Sequence, residues 1–190
     1  MAEDMNGRIE MILDGGAVGI GLESTIVDLT GGEPTVLRPG YVTQEMLEKV
    51  LGDVAVDRTI LDGTTAERPK APGMKYRHYA PKGDLAIVEG EPEAVTEYIN
   101  RLCAEAAAAG KKTGVIGTDE TFSSYAADSV KTVGSRGDEE AIARSLYRIL
   151  REFDDEEVEV MYSESFSTYG MGQAIMNRLL KAAGHRVITV

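Results

Sequence analysis

The sequence predicts an α/β chain in two unequal parts joined by an irregular segment, and three observations carry that reading. From residue 85 to residue 190 short apolar runs alternate with helix-length amphipathic stretches, the pattern of a parallel sheet covered on both faces. Before residue 58, β-branched runs dominate with one helix among them. Between these regions, from Asp57 to Lys82, periodicity fades while Thr, Gly and Pro accumulate. The expected units are therefore residues 1–58, a linker at 59–82, and residues 83–190.

In the first unit, residues 9–13 form a short apolar run closed by Asp14-Gly15-Gly16, expected as a strand. Residues 25–29 and 35–37 are β-branched runs separated by Gly31-Gly32-Glu33-Pro34, a hairpin signal. Thr43 is a suitable N-cap for a helix with Met46, Leu47, Val50 and Leu51 at helical spacing, stopped by Gly52. Three strands and one helix leave a sheet with uncovered faces, so this region is expected to complete a larger domain.

In the last unit the predicted order is strand 85–88, helix 91–109, strand 113–117 and a helical segment 120–127. Strand 129–133, helix 138–153, strand 158–162, helix 172–183 and strand 187–190 follow. The result is a three-layer unit with a mostly parallel sheet of about five strands between helices.

Composition narrows the functional classes. Thirty-two acidic against twenty basic residues give a net charge of −12 over 190 residues. That balance opposes direct binding to nucleic acid, where Lys and Arg must neutralise phosphates. The single cysteine, Cys103, excludes an internal disulfide, and two distant histidines without a CxxC give no metal-ligand spacing. No apolar run approaches the ~18 residues of a membrane span, and the acidic start has no signal-peptide character, so a cytoplasmic location is expected.

Several segments are candidates for chemistry. Gly16 through Gly21 leads into Leu22-Glu23-Ser24-Thr25; a glycine-rich turn followed by hydroxyls presents N–H groups and an Oγ to an anion, or is simply a turn. In Leu37-Arg38-Pro39-Gly40 an arginine ends a strand against a Pro-Gly turn, where its fork suits bidentate phosphate or carboxylate binding, unless it is a solvated surface residue. Thr168-Tyr169-Gly170-Met171-Gly172-Gln173 reads as a tight strand-to-helix connection, the alternative being a glycine-bearing helix N-terminus that binds an anion, and Asp154-Asp155-Glu156-Glu157 reads as a solvated acidic loop with no metal role. No catalytic residue is identifiable.

The densest segment is residues 71–81, Ala-Pro-Gly-Met-Lys-Tyr-Arg-His-Tyr-Ala-Pro. Prolines bracket it, and no apolar periodicity asks for its burial. A plain spacer has no use for Tyr76 and Tyr79, whose amphipathic rings need a surface to lie on. Such a loop touches a ligand or another domain.

Gly21-Leu22-Glu23-Ser24-Thr25-Ile26-Val27-Asp28, then Leu37-Arg38-Pro39-Gly40, then residues 71–81, in this order, resemble the threonylcarbamoyl-AMP synthase family in its long, two-domain form. Gly170-Met171-Gly172-Gln173-Ala174 and Met176-Asn177-Arg178-Leu179 match that form's C-terminal domain. The resemblance implies an enzyme that condenses L-threonine, bicarbonate and ATP, with Mg2+, into L-threonylcarbamoyladenylate and pyrophosphate. The product feeds a separate transferase that modifies tRNA at position 37. The implied architecture is a YrdC-like catalytic domain, a linker lying over its pocket, and a Rossmann-like C-terminal domain. Carried over by motif, Ser24 contacts L-threonine, Arg38 the ATP phosphates and Tyr76 the nucleotide, with Lys75, Arg77 and His78 adding charge to a lid.

The chain departs from the family pattern in one respect. The N-terminal lysine-x-arginine pair and the serine-x-asparagine motif of the catalytic domain are absent from their settings, so the resemblance begins late in that domain. The chain is expected to be a fragment whose missing N-terminal catalytic region is its first partner, inactive alone. The other reading is a stand-alone module that senses a nucleotide or engages a partner. Exposed strand edges predict homodimerisation.

Overall fold

The computed structural model of the chain describes residues 5–16, 19–57, 60 and 80–190. Its elements run β1 (Ile26–Asp28), β2 (Thr35–Arg38), α1 (Gln44–Leu51), β3 (Ala55–Val56), β4 (Asp84–Glu89), α2 (Pro92–Ala108) and β5 (Thr113–Gly117). A 3₁₀ turn (Phe122–Ser124), β6 (Ser129–Thr132), α3 (Glu139–Asp155), β7 (Val160–Glu164), α4 (Met171–Ala182) and β8 (Val187–Thr189) follow.

The chain is α/β, with a five-stranded, all-parallel sheet in the order β6-β5-β7-β4-β8. Side chains alternate across each strand. Leu85 and Ile87 of β4 therefore meet α3 and α4, packing with Leu146, Phe153 and Leu179. Their neighbours Ala86 and Val88 meet α2 at Val95, Ile99 and Cys103. Burial on both faces explains why β4 and β5 read as continuous apolar runs.

A second, three-stranded sheet has the order β1-β2-β3, antiparallel between β1 and β2 and parallel between β2 and β3. The hairpin and α1 form where expected. The Thr43 hydroxyl accepts from the Met46 N–H, and Gly52 ends the helix at φ 79°. The core of this unit is small: Val36, Val54 and Ile60, with Leu47 and Val56 against them.

Four expectations are corrected. Residues 9–13 form no strand, and Met11 and Leu13 are exposed; the third strand is Ala55–Val56, too short to show periodicity. Residues 120–127 hold only the 3₁₀ turn, because Asn100 of α2 donates to the Ser124 carbonyl and accepts from the Ala126 N–H, taking backbone groups a helix would use. The strand expected at 158–162 is β7, displaced toward the C-terminus. The Val158 N–H still bonds the Phe153 carbonyl at the end of α3, while Ser163 and Glu164, polar yet buried, complete the strand. The acidic stretch 154–157 is only partly solvated: Asp154 is buried, accepts from the Lys82 N–H at 2.6 Å and pairs with Arg151 at 2.9 Å, and Glu156 pairs with Lys131.

At the C-terminal end of β7, Glu164 accepts from Thr121, Tyr125 and Arg136, and Arg136 also donates to the Ser165 carbonyl. A carboxylate can lie inside the sheet because these donors replace its water shell. Among the described residues no helix is long and apolar enough to cross a membrane.

Candidate functional site

The site grows from the β1–β2 hairpin. Pairing opposes Ile26 to Arg38 but Val27 to Val36, so β2 carries one extra residue at this step. Such a bulge bends its strand and re-aims the side chains beyond it. Arg38 is thereby turned along β1 toward the segment that precedes it. Its Nε donates to the Ser24 carbonyl at 2.9 Å and an Nη donates to Ser24 Oγ at 3.0 Å. A planar fork making both bonds fixes the backbone and the hydroxyl of one residue together.

Gly40 closes the same corner. A Cβ there would lie 2.3 Å from the Glu23 carbonyl oxygen and 2.5 Å from the Thr25 nitrogen, so only glycine lets the Pro-Gly turn reach the Ser24 backbone. The Thr25 hydroxyl donates to the Val42 carbonyl at 2.7 Å and ties the far side of the turn.

Ser24 opens onto a cavity of about 460 Å³, which Glu23, Thr25, Val27, Tyr41 and Val42 also line. Because Arg38 occupies an acceptor site on Ser24 Oγ, the hydroxyl's own proton remains to be donated. A donor hydroxyl in a mostly apolar wall suits the carboxylate of a small ligand.

The larger unit meets the loop that carries Ser24. Arg178 of α4 is buried; it donates to the Gly21 carbonyl, lies 3.8 Å from a Glu23 carboxylate oxygen, and stacks over the Tyr147 ring of α3 at 5.1 Å. One turn further along α4, burial lowers the Lys181 amine from its ordinary value; Glu23 pulls it back up and Arg38 pushes it further down. Charges from both units therefore act within one neighbourhood.

Of the residues expected to act, Ser24 and Arg38 come together. Tyr76, Lys75, Arg77 and His78 lie outside the described residues, as do Ala17 and Val18 of the glycine-rich turn. The 168–173 connection is held by close approach: a Cβ on Gly172 would lie 2.3 Å from the Ser167 carbonyl oxygen, and Gly170 has φ 56°. Sequence reasoning missed Arg178 as a partner of the loop that carries Ser24. A charged residue inside the apolar stripe of α4 was the available signal.

The family model described as threonylcarbamoyl-AMP synthase, C-terminal domain, matches residues 42–184, and one described as telomere recombination matches residues 1–40. The chain is 47% identical over 188 residues to the threonylcarbamoyl-AMP synthase of Bacillus subtilis (strain 168), covering 99% of this chain and 53% of that protein. It is 45% identical over 190 residues to the threonylcarbamoyl-AMP synthase of Pyrococcus abyssi (strain GE5 / Orsay), covering 100% and 54%. A crystal structure of P. abyssi Sua5 complexed with L-threonine matches with a TM-score of 0.90 at 45% identity, over 100% of this chain and 54% of that one. The chain spans about half the length of these curated relatives.

Proposed function

The chain belongs to the threonylcarbamoyl-AMP synthase family, and from that premise we propose that it is the C-terminal part of an enzyme making L-threonylcarbamoyladenylate from L-threonine, bicarbonate and ATP. In that reaction the threonine amine forms a C–N bond with the bicarbonate carbon and water departs. A carbamate oxygen then attacks the α-phosphorus of ATP, and pyrophosphate leaves. Magnesium enters as the ATP complex, and the product goes to a tRNA-modifying transferase.

The observation that carries this reading is the Arg38 fork on Ser24, which leaves the serine a donor facing the cavity. Ser24 binds the threonine carboxylate in this scheme. Arg38 has N–H groups beyond the two spent on Ser24, and these meet the ATP phosphates. Carbamates and mixed anhydrides hydrolyse readily, so the cavity needs a cover. Tyr76, with Lys75, Arg77 and His78, supplies that cover from the linker and places ring and charge beside the nucleotide. The N-terminal half of the synthase contributes the rest of the site, and residues 1–190 alone are expected to turn over no substrate.

The test is pyrophosphate release by the full-length protein that contains this chain. Release should require L-threonine, bicarbonate and magnesium-ATP together, and Ser24→Ala should raise the KM for L-threonine about tenfold or more while changing that for ATP less. Release indifferent to L-threonine would reject the proposal.

A further inference from the structure

We propose that Arg178 is a positioning residue for the substrate site: from α4 of the larger unit it fixes the loop that carries Ser24, so that unit is a working part of the site. The inference rests on the synthase reading for its substrate and on geometry alone for the docking.

The loop lies in a groove between α3 and α4. Gly21 has φ +70°, and a Cβ there would stand 2.7 Å from both the Ala143 carbonyl oxygen and the Arg144 Cα. Its backbone therefore rests directly on α3. Leu22, next along, packs against the core beneath α3 and α4. Arg178 then holds the Gly21 carbonyl from α4 and faces Glu23, while Tyr147 covers its guanidinium. Gly40 presses on the same loop from the hairpin side. Chain from Gly21 to Ser24 reaches at most about 10 Å, and both ends of it are held.

Burying an arginine is costly, and a well-packed apolar residue would serve stability as well or better. What an apolar residue cannot do is hold a carbonyl, a carboxylate and a ring face in one fixed arrangement. Neighbouring contacts agree on the role of α4. Lys181, on the same face three residues on, lies within electrostatic reach of Glu23 and Arg38, and the Gly170 N–H at the start of α4 is among the groups that hold the Glu45 carboxyl of α1 below its usual range.

Two measurements on Arg178→Met and Arg178→Lys test this. Hydrogen exchange of residues 21–25 in this chain reads the docking directly. Methionine should speed exchange there about tenfold or more while the amides of β4 and β5 stay protected, and lysine should restore part of the protection. In the full-length protein, methionine should raise the KM for L-threonine about tenfold to a hundredfold, more than that for ATP, with lysine in between. Unchanged exchange at 21–25 in a folded methionine variant overturns the proposal, as does a loosened loop with an unchanged threonine KM. If methionine does not fold, the lysine variant decides by the same criteria. A parent protein without threonine-dependent turnover sinks the synthase reading instead, and the exchange comparison still decides whether Arg178 holds the loop.

Discussion

The two sheets of this chain differ in what covers them. The five-stranded sheet has helices on both faces, and Ile87, Leu146 and Phe153 are wholly inaccessible. Among the described residues the hairpin sheet closes around the small cluster of Val36, Val54 and Ile60 with Leu47 and Val56 against it, and α1 beside it leaves Val50 83% exposed. The candidate site lies on the weaker of the two. Its order is drawn from outside: from Arg178 and the α3 backbone on one flank, and from the Pro39-Gly40 turn on the other. A site built this way separates the well-covered element from the element that carries the candidate site, and couples them through one short loop.

The largest effect should come from breaking the stable partner. Phe153 is fully buried and its ring packs against Gly114, which has no side chain to fill the space that truncation would leave. Phe153→Ala should cost ~3–5 kcal/mol in denaturant unfolding. Exchange in residues 21–25 should rise with it, because the α3 surface beneath the loop is disturbed. A loop that keeps its protection while the five-stranded sheet is weakened would show the smaller unit to be self-sufficient, and the contrast would fail.

The complementary change strikes the loop and spares the larger unit. Gly40→Ala puts a methyl group against backbone at 2.3 Å, which must displace either the Pro-Gly turn or the Glu23–Thr25 strand entry. The strain is about 1–3 kcal/mol, felt locally. Cys103 provides the control: it is buried in the larger unit, and burial pushes its thiol up to about 11, so in the intact protein it should label slowly. Gly40→Ala should leave that labelling rate unchanged while weakening L-threonine binding in the full-length protein. Faster labelling of Cys103 would mean that the strain spreads into the larger unit.

This asymmetry also decided what could be read in the sequence. The larger unit was legible nearly element by element, because strands buried on both faces and amphipathic helices leave periodic signals. It failed at Ser163 and Glu164, where a buried carboxylate with its donors coming from Thr121, Tyr125 and Arg136 has no pattern in hydropathy. In the smaller unit the hairpin and the capped helix were visible through turn and cap chemistry, whereas the two-residue β3 left nothing to count. Ser24 and Arg38 were identifiable as candidates. That they bond each other depends on a bulge, and that Arg178 reaches Gly21 depends on tertiary packing across 157 positions, neither of which spacing encodes.

The smallest effect expected is in acid, and it belongs to the stable partner. Glu120 sits on an exposed loop of the larger unit, where the Ser135 hydroxyl first and the Arg136 N–H second hold its carboxyl down to about 2 from the usual 4.5. A carboxylate whose value is depressed on folding contributes stability that is complete above 4.5 and is lost as pH falls from there toward 2. The loop between β6 and α3 that supplies Ser135 also delivers Arg136 to the buried Glu164, so protonating Glu120 should loosen the cover over the C-terminal end of β7. Glu120→Gln keeps the shape and removes the titration. In a chain-wide acid titration followed by circular dichroism, it should be less stable than the parent at neutral pH, with the difference shrinking as pH falls below 4.5. A difference that stays constant with pH would mean the bonds to Ser135 and Arg136 do not distinguish the carboxylate from the amide. Acid sensitivity would then have to be sought in the hairpin unit, where the Glu45 carboxyl is likewise held low, chiefly by the Thr43 hydroxyl.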